Sequence, residues 1–331
     1  MFLFEPIRYI VAVFESIVVF FGMLSATGQI VPPGDYLTQL NRTGIFENRA
    51  QDSLPQTLIH DLILEHFKNP EAGKEPKCLL VGYDGARADA LQRTVSPGVW
   101  MDVSESGVRA LLDDGGKVYN MYTGGPLLDP SRWQEPVTAA GWTTMLTGHW
   151  AIEKDGGGHG VTSNGITKAV EPKLIFTQLL EGGLAGQTAF VVSWGGHFTD
   201  ENATYKKEAA YWQEEGLNAK WSTTSGDEAT FEQTLLEVQD PAAGMVMCIL
   251  EYCDEAGHST GYGLQNPDYA EAIKESERDA YRLIQAVKAR PTYDQEDWLI
   301  LISCDHGGAF TGHGQQFTVM RQIFLATNKP L

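Results

Sequence analysis

WLILISCDHGG (residues 298–308) is the stretch that decides the fold, because a continuous apolar run ends there in an aspartate. Two other runs share the pattern. CLLVGYD (residues 78–84) ends in Asp84, and MVMCILEYCD (residues 245–254) ends in Asp254. Continuous apolar runs are typical of strands that are covered on both faces. The carboxyl ends of parallel strands share one sheet edge, where ligands bind. The three aspartates are therefore expected to meet at that edge.

The segment between the last two runs predicts a helix. Asn266-Pro267 supplies a capping residue followed by proline at the first helical position, and Pro291 lies beyond the end. Strand, helix and strand in this order form a right-handed crossover. AFVVSW (residues 189–194) predicts a further strand. We therefore predict an α/β domain with a largely parallel sheet.

Histidines accompany the aspartates and indicate a metal site. Asp254 and His258 stand in DEAGH, Asp305 and His306 in CDHGG, and His313 in TGHG. Carboxylate oxygen and imidazole nitrogen are ligands of zinc and similar divalent ions. A lone histidine in a polar loop is usually just solvent-exposed, but three histidines beside strand-end aspartates favour a site.

Charge balance predicts a nucleophile beside two such ions. Two divalent cations bring four positive charges, of which Asp84, Asp254 and Asp305 neutralise three. The remainder suits one deprotonated alcohol, so a serine or threonine is expected in the site. The candidate is Thr138, in VTAAGWTTMLTGHW (residues 137–150).

At this point the chain resembles the alkaline phosphatase superfamily, in its type I phosphodiesterase/nucleotide pyrophosphatase branch. The motifs occur in family order: VGYDGAR at 81–87, Thr138 before the TG of MLTG, HGVTSN at 159–164, DEAGHSTGYG at 254–263, and DHGG followed by GHG. The resemblance implies a three-layer α/β/α sandwich with a mixed, mostly parallel central sheet. It also implies a hydrolase of phosphate esters, with phosphodiesters or nucleotide pyrophosphate bonds as substrates.

The resemblance also implies roles for these residues. One ion would be bound by Asp84, Thr138, Asp305 and His306, and the other by Asp254, His258 and His313. Thr138 would attack phosphorus in line and form a phospho-threonine intermediate, which activated water then hydrolyses. By ligand type the two divalent ions are expected to be zinc, with manganese as the alternative.

Two further positions are expected to contact substrate. Many relatives carry an asparagine three residues after the nucleophile, where this chain has Gly141. Backbone N–H groups at this glycine-containing turn could replace the missing amide. The difference weakens the prediction of a nucleotide diester substrate. Trp194, in WGGH, could line the substrate cleft, while an ordinary turn after the strand explains it equally well. Thr143 is the next nucleophile to test if the spacing is misread.

The composition excludes several classes of protein. Hydrophobic residues make up 43% of the 331 residues and charged residues 20%, which is typical of a folded globular protein. The formal net charge is -19, so the surface repels phosphate backbones and a nucleic-acid polymer is not an expected partner. The expected partner is a small-molecule phosphate ester. Three of the four cysteines lie in apolar strand runs and are expected to be buried.

The N-terminus predicts membrane association. Residues 1–30 contain an apolar segment long enough for a membrane anchor or signal, with Glu15 as the exception. A buried or interfacial helix is the alternative, because a charge at mid-membrane costs about 2.5 kcal/mol or more. Residues 31–76 are predicted to connect this segment to a metal-dependent phosphoesterase domain at 77–331. A membrane-anchored protein with an extracytoplasmic catalytic domain is expected.

Two other functions remain open from the sequence. A phosphomonoesterase or phosphomutase of the same superfamily would use the same ligands, and Gly141 keeps this alternative open. A catalytically silent, membrane-tethered binding protein would keep the metals for structure, although a structural site needs no threonine at the nucleophile position. A sulfatase is disfavoured because no C/S-x-P-x-R motif is present.

Overall fold

The fold is built on one eight-stranded sheet. The computed structural model describes residues 53–95, 103–263 and 266–331. In these parts of the chain the strand order is β1-β3-β8-β7-β2-β6-β4-β5. The strands are β1 Leu54–Pro55, β2 Glu75–Tyr83, β3 Lys117–Tyr122, β4 Thr188–Val192, β5 Ala219–Thr223, β6 Met245–Leu250, β7 Glu296–Ser303 and β8 Gln322–Thr327.

The sheet is mixed but mostly parallel. Strand β8 runs antiparallel to both of its neighbours, β3 and β7, and the other pairs of strands are parallel. Strands β7, β2 and β6 are therefore parallel neighbours at the centre of the sheet. Every residue of β6 and β7 is buried, as expected for strands with helices on both faces.

Ten α-helices surround the sheet in the described residues. They are α1 Leu58–Lys68, α2 Ala88–Val95, α3 Gly107–Asp113, α4 Thr138–Thr147, α5 Ile175–Glu181, α6 Lys206–Glu214, α7 Asp227–Gln239, α8 Tyr252–Thr260, α9 Pro267–Lys288 and α10 Thr318–Arg321. Helices α1, α4 and α5 contact one another, whereas α9 contacts α2, α3, α7 and α8.

Two adjacent residues of β2 show that these helix groups lie on opposite faces. Gly82 faces α4 so closely that a Cβ atom on it would lie 2.4 Å from the Trp142 ring. The next residue, Tyr83, donates a hydrogen bond from its hydroxyl to Glu277 Oε1 of α9, at 2.9 Å. Because successive side chains of a strand point to opposite faces, the predicted three-layer α/β/α sandwich is confirmed.

Several local predictions are confirmed. Helix α9 begins at Pro267, and Asn266 caps it by accepting a hydrogen bond from the Asp268 N–H, at 3.1 Å. The strand predicted at 189–194 is β4. All four cysteines are free and buried, as predicted for three of them; Cys78 and Cys248 lie in β2 and β6, whereas Cys304 directly follows β7.

One strand is shorter than its apolar run. The run 245–254 predicts a strand up to Asp254, but β6 ends at Leu250 and α8 begins at Tyr252. Glu251 makes the turn, with φ −92° and ψ −4°. The prediction of the strand's end is wrong because the apolar residues Tyr252 and Cys253 continue the pattern into the helix. Asp254 consequently lies in the first turn of α8.

The N-terminal predictions fall partly outside the described residues. The predicted anchor at 1–30 lies outside them, as do residues 31–52 of the predicted connecting region at 31–76. The described remainder packs onto the domain, because β1 pairs with β3 and α1 contacts α4. No helix in the described ranges is long and apolar enough to cross a bilayer. Membrane anchoring stays a prediction.

A buried histidine next to β4 makes the stability sensitive to acid. The His197 ring is fully buried and stacks on the Tyr205 ring with centroids 5.6 Å apart. Neither ring nitrogen has a hydrogen-bond partner among the described residues. Burial disfavours the charged imidazolium and lowers the pKa of His197 to about 3.

We predict that His197→Phe makes the protein less sensitive to acid. In the unfolded chain the pKa of a histidine is about 6.5, so between that pH and about 3 the unfolded state binds the extra proton. Stability is complete above pH 6.5 and falls as the pH decreases. The wild type should lose about 1 kcal/mol more than the variant between pH 7 and about 5.5. Urea unfolding at both pH values measures this, and equal losses would contradict it.

Candidate active site

Three neighbouring strands deliver carboxylates to one edge of the sheet. Asp84 directly follows β2, Asp305 lies two residues after β7, and Asp254 follows β6 in the first turn of α8. Because β7, β2 and β6 are adjacent and parallel, their carboxyl ends adjoin. The predicted meeting of the three aspartates is therefore what the structure shows.

The first group of candidate ligands lies in the interior. Asp84, Asp305 and His306 are fully buried, and each offers a ligand atom within 4.8 Å of the others. His306 Nε2 lies 3.4 Å from Asp84 Oδ1 and 3.3 Å from Asp305 Oδ2. The other ring nitrogen, Nδ1, lies 3.0 Å from the Gly307 carbonyl oxygen, so it carries the proton. The lone pair of Nε2 therefore faces the carboxylates.

Thr138 lies beside this first group at the start of α4. Its hydroxyl oxygen is 3.4 Å from both Asp84 Oδ1 and His306 Nε2. One turn later Trp142 donates from Nε1 to Asp84 Oδ2, at 2.8 Å. In the first turn of the helix, the Ala139 N–H donates a hydrogen bond to Asn164 Oδ1, at 2.9 Å. These two contacts hold the helix start, and with it the hydroxyl, against the carboxylates.

The second group is more open. Asp254, His306 and His313 offer ligand atoms within 4.8 Å of one another. His258 Nε2 lies 3.3 Å from Asp254 Oδ2 and 3.0 Å from His313 Nε2. The His258 side chain is 47% exposed, whereas that of Asp305 is fully buried. Solvent therefore reaches the site from the side of His258.

His306 belongs to both groups. The sequence predicts His306 only with Asp84 and Asp305, but its ring stacks on that of His313 with centroids 4.0 Å apart. Adjacent strand ends place the two groups so close together that a single imidazole reaches both. The two predicted sets of metal ligands are thus not fully separate, because His306 can reach both.

The buried carboxylates repel one another. Burial raises the pKa of Asp84 well above its usual value, and the charges of Asp305, Glu251 and Asp254 raise it further. Burial and the charge of Asp254 likewise raise the pKa of Asp305. Burial also lowers the pKa of His306 to about 3, so this imidazole is neutral at pH 7. Neutral imidazole is the form that ligates metals.

The donor set fits divalent cations. In the described part of the chain no lysine or arginine forms an ion pair with Asp84, Asp254 or Asp305. Asp305 Oδ2 is buried without a hydrogen bond from any described residue. Keeping the carboxylates of Asp84 and Asp305 ionised without a partner would cost several kcal/mol, on the order of a folded domain's whole stability, which is why burial raises their pKa. A cation would offset this cost, and mixed oxygen and nitrogen donors suit zinc or manganese.

Gly141 does not play the role predicted for it. Its N–H group donates to the Val137 carbonyl at 2.8 Å, inside the helix hydrogen-bond pattern, and is therefore not available to a substrate. A Cβ atom at this position would lie 2.8 Å from both the Cβ atom and the carbonyl oxygen of Asp305. The glycine instead permits α4 to approach the strand end closely.

Trp194 lies just beyond β4, at the same edge of the sheet. Its ring is half-buried and packs edge-on against His197, with centroids 5.0 Å apart. The close approach of the Gly196 backbone to the indole keeps the turn compact. A contact between Trp194 and substrate stays a prediction.

The sequence analysis missed several residues that contact the site. Trp142 binds Asp84, the Tyr262 hydroxyl donates to Asp254 Oδ1, and Glu251 lies within ligand distance of both aspartates. Helical spacing gives a signal for Trp142, which follows Thr138 by four residues. Tyr262 and Glu251 give none, because their contacts depend on how α8 leaves the sheet.

Comparison with known proteins shows the family of the chain. A sequence model of the family described as type I phosphodiesterase/nucleotide pyrophosphatase matches residues 78–325. These residues include every predicted ligand and Thr138. Among curated proteins, none matches this chain.

Solved structures with a similar backbone are distant in sequence. Murine ectonucleotide pyrophosphatase/phosphodiesterase 5 is 14% identical with a TM-score of 0.46, and the match covers 70% of this chain and 57% of that one. The lipoteichoic acid synthase LtaP from Listeria monocytogenes is 12% identical with a TM-score of 0.47, covering 77% and 66%. The periplasmic domain of EcEptC from Escherichia coli, in complex with Zn, is 12% identical with a TM-score of 0.44, covering 78% and 74%. The chain thus spans little more than half the length of the murine protein.

We predict that Gly141→Ala destabilises the protein. The new methyl group would meet the backbone of Asp305, which cannot move aside, and overpacking of this kind costs about 1–3 kcal/mol. This exceeds the gain of roughly 1 kcal/mol in helix propensity. Urea unfolding measures the difference. Gly186→Ala is the matched control, because no atom lies within 4 Å of its Cβ position. Equal stability of the two variants would argue against the close approach.

Proposed function

The chain belongs to the type I phosphodiesterase/nucleotide pyrophosphatase family, and on that premise we propose that it hydrolyses phosphate esters at two divalent cations with Thr138 as the nucleophile. The proposed substrates are phosphodiesters or nucleotide pyrophosphate bonds. One observation carries the proposal: the Thr138 hydroxyl lies 3.4 Å from both Asp84 Oδ1 and His306 Nε2. A purely structural cation site has no need of a hydroxyl there.

The proposed ligands follow the two groups of side chains. Asp84, Asp305 and His306 would hold one ion beside Thr138, and Asp254, His258 and His313 would hold the other. Zinc is proposed because the donors are mixed oxygen and nitrogen, and manganese is the alternative. When bound, the ions supply positive charge that favours an ionised hydroxyl and stabilises the charge on phosphoryl oxygens.

The proposed reaction has two displacement steps. Thr138 Oγ1 loses its proton and bonds to phosphorus, while the bond from phosphorus to the leaving oxygen breaks. Water then attacks the phospho-threonine, releases the phosphate product and restores the hydroxyl. The fixed position of Thr138 at the start of α4 supports this proposal, because an oriented nucleophile lowers the entropic cost of the attack.

Asn164 is the proposed donor to the phosphoryl group. Its Oδ1 atom accepts from the Ala139 N–H, one residue after Thr138, and this contact fixes the orientation of the amide. The Nδ2 group lies on the same amide and would donate to a phosphoryl oxygen on the attacked phosphorus. Trp194 is proposed to line the cleft for the leaving group.

A phosphomonoesterase or phosphomutase is the second candidate. The observation that favours it is the Gly141 N–H, which is bonded within the helix and so cannot replace the asparagine amide of many relatives. Relative rates on aryl phosphate monoesters and diesters distinguish the two candidates.

We predict that Thr138→Ala lowers kcat for bis(p-nitrophenyl) phosphate at least 1000-fold, on the order of what removal of a nucleophile costs. Thr138→Ser should retain part of the activity, because it keeps the hydroxyl. Thr143→Ala is the matched control. Thr143 lies five residues further along α4, and its hydroxyl donates to the Ala139 carbonyl at 2.6 Å. Full activity in Thr138→Ala, or its loss only in Thr143→Ala, would refute the assignment.

We predict that removing the cations abolishes activity and lowers stability together. With the ions gone, buried Asp84 and Asp305 lose the positive charge that compensates them, so chelation with EDTA should lower the Tm measurably. Adding zinc or manganese should restore both the Tm and the turnover. Activity that survives chelation and dialysis would contradict the proposed mechanism.

A further inference from the structure

A fourth carboxylate lies among the candidate ligands. Glu251 follows β6 directly and is 7% exposed. One of its carboxylate oxygens lies within 4.8 Å of carboxylate oxygens of both Asp84 and Asp254. These two aspartates belong to different groups of candidate ligands, so Glu251 lies at the junction of the two groups.

One carboxylate oxygen of Glu251 has no partner among the described residues to compensate its burial. This atom, Oε1, is buried and accepts no hydrogen bond from any residue that the structure describes. Burial, together with Asp254, Asp227 and Asp305, raises the pKa of Glu251 well above the usual value. Its backbone is nevertheless held in place, because its N–H donates to Asp227 Oδ1 at 2.7 Å.

Two occupants could offset this cost, a proton or a cation. A carboxyl that kept its proton would be expected to donate it to a nearby acceptor. A cation would bind a carboxylate oxygen of Glu251 and at the same time relieve the repulsion from Asp84 and Asp254. Carboxylate oxygens from three residues lie within 4.8 Å of one another, and this favours the cation.

We propose that Glu251 is a further cation ligand, shared between the two positions, in addition to the residues that the family resemblance assigns. The proposal deepens the proposed function and rests on it for the presence of two ions. Four carboxylates then balance the four positive charges of two divalent ions. The loaded site is neutral while the Thr138 hydroxyl keeps its proton, and the fourth positive charge then needs no ionised alcohol before the substrate enters.

This neutrality has a consequence for the substrate class. A phosphodiester carries one negative charge and a monoester carries about two at neutral pH. A neutral site gains less from the second charge than a site with one net positive charge does. Glu251 therefore favours monoanionic diesters over dianionic monoesters.

The first test measures cation binding in the metal-stripped full-length protein. Isothermal titration with Zn²⁺ or Mn²⁺ compares the wild type with Glu251→Gln, Glu251→Asp and the control Glu255→Gln. Glu255 lies four residues further along α8 and is exposed. We expect Glu251→Gln to weaken at least one binding step tenfold or more, on the order of the loss reported for groups that support a ligand set. Glu251→Asp should have an intermediate effect, and Glu255→Gln should stay within about twofold of the wild type.

Thermal unfolding of the metal-free proteins controls for misfolding. Glu251→Gln keeps the shape of the side chain and mimics its uncharged form, so its Tm without metal should equal or exceed that of the wild type. Its Tm should then rise less when the cation is added. Equal affinities in the wild type and Glu251→Gln, or an equal loss in Glu255→Gln, would overturn the proposal.

The second test measures turnover of a monoester against a diester. The ratio of kcat/KM for p-nitrophenyl phosphate to that for bis(p-nitrophenyl) phosphate should rise about tenfold in Glu251→Gln, on the order of one uncompensated charge near the substrate. An unchanged ratio would overturn the consequence for substrate class. If no variant turns over either ester, the proposed function fails, whereas the binding test still decides whether Glu251 is a ligand.

Discussion

The repulsion between carboxylates at the carboxyl ends of β2, β6 and β7 is the constraint on which the rest of the structure depends. Parallel pairing of these strands brings Asp84, Asp254 and Asp305 together whether or not their charges allow it. Burial in an apolar sandwich then removes the water that would screen them. Among the described residues, the basic side chains close to these aspartates are histidines, and the buried His306 carries no charge that could offset theirs. The fold therefore creates a strong local demand for positive charge.

Helix α4 turns this cation site into a candidate for catalysis. Gly141 lets the helix pack on the backbone of Asp305, and Trp142 ties it to Asp84. Both contacts come from the same helix that begins with Thr138, so the hydroxyl is positioned by the packing of the sandwich itself. Gly82 of β2 is part of this arrangement, because any larger side chain at this position would displace the indole of Trp142. The packing of the core therefore fixes the positions of Thr138 and of the aspartates that follow the strands, whereas His313 comes from a longer loop.

The fold and the meeting of the candidate ligands were largely predictable from the sequence, because both follow from where apolar runs end. Continuous runs indicated buried parallel strands, and parallel strands bring their final aspartates together. The direction that the chain takes after each strand could not be predicted, and neither could the contacts that depend on it. The run ending in Asp254 continued through Tyr252 and Cys253, which hid the turn at Glu251 and its carboxylate. The position of His306 between both groups depends on ring orientation, for which the letters DHGG give no signal.

Because the whole chain is strongly negative, binding of an anionic substrate depends on the charges within the site itself. With a formal net charge of -19, the surface repels a phosphate ester at a distance. The candidate site adds several carboxylates to that unfavourable field, so the residues alone would exclude the very anion that the family hydrolyses. Bound cations reverse the local potential only within a few ångströms, since salt screens longer distances. Binding would then depend on direct contact at the open side, near His258, and long-range attraction would contribute little. An acidic surface of this kind would favour a small substrate that reaches the ions directly, and it would repel an extended polyanion that also contacts the surrounding surface.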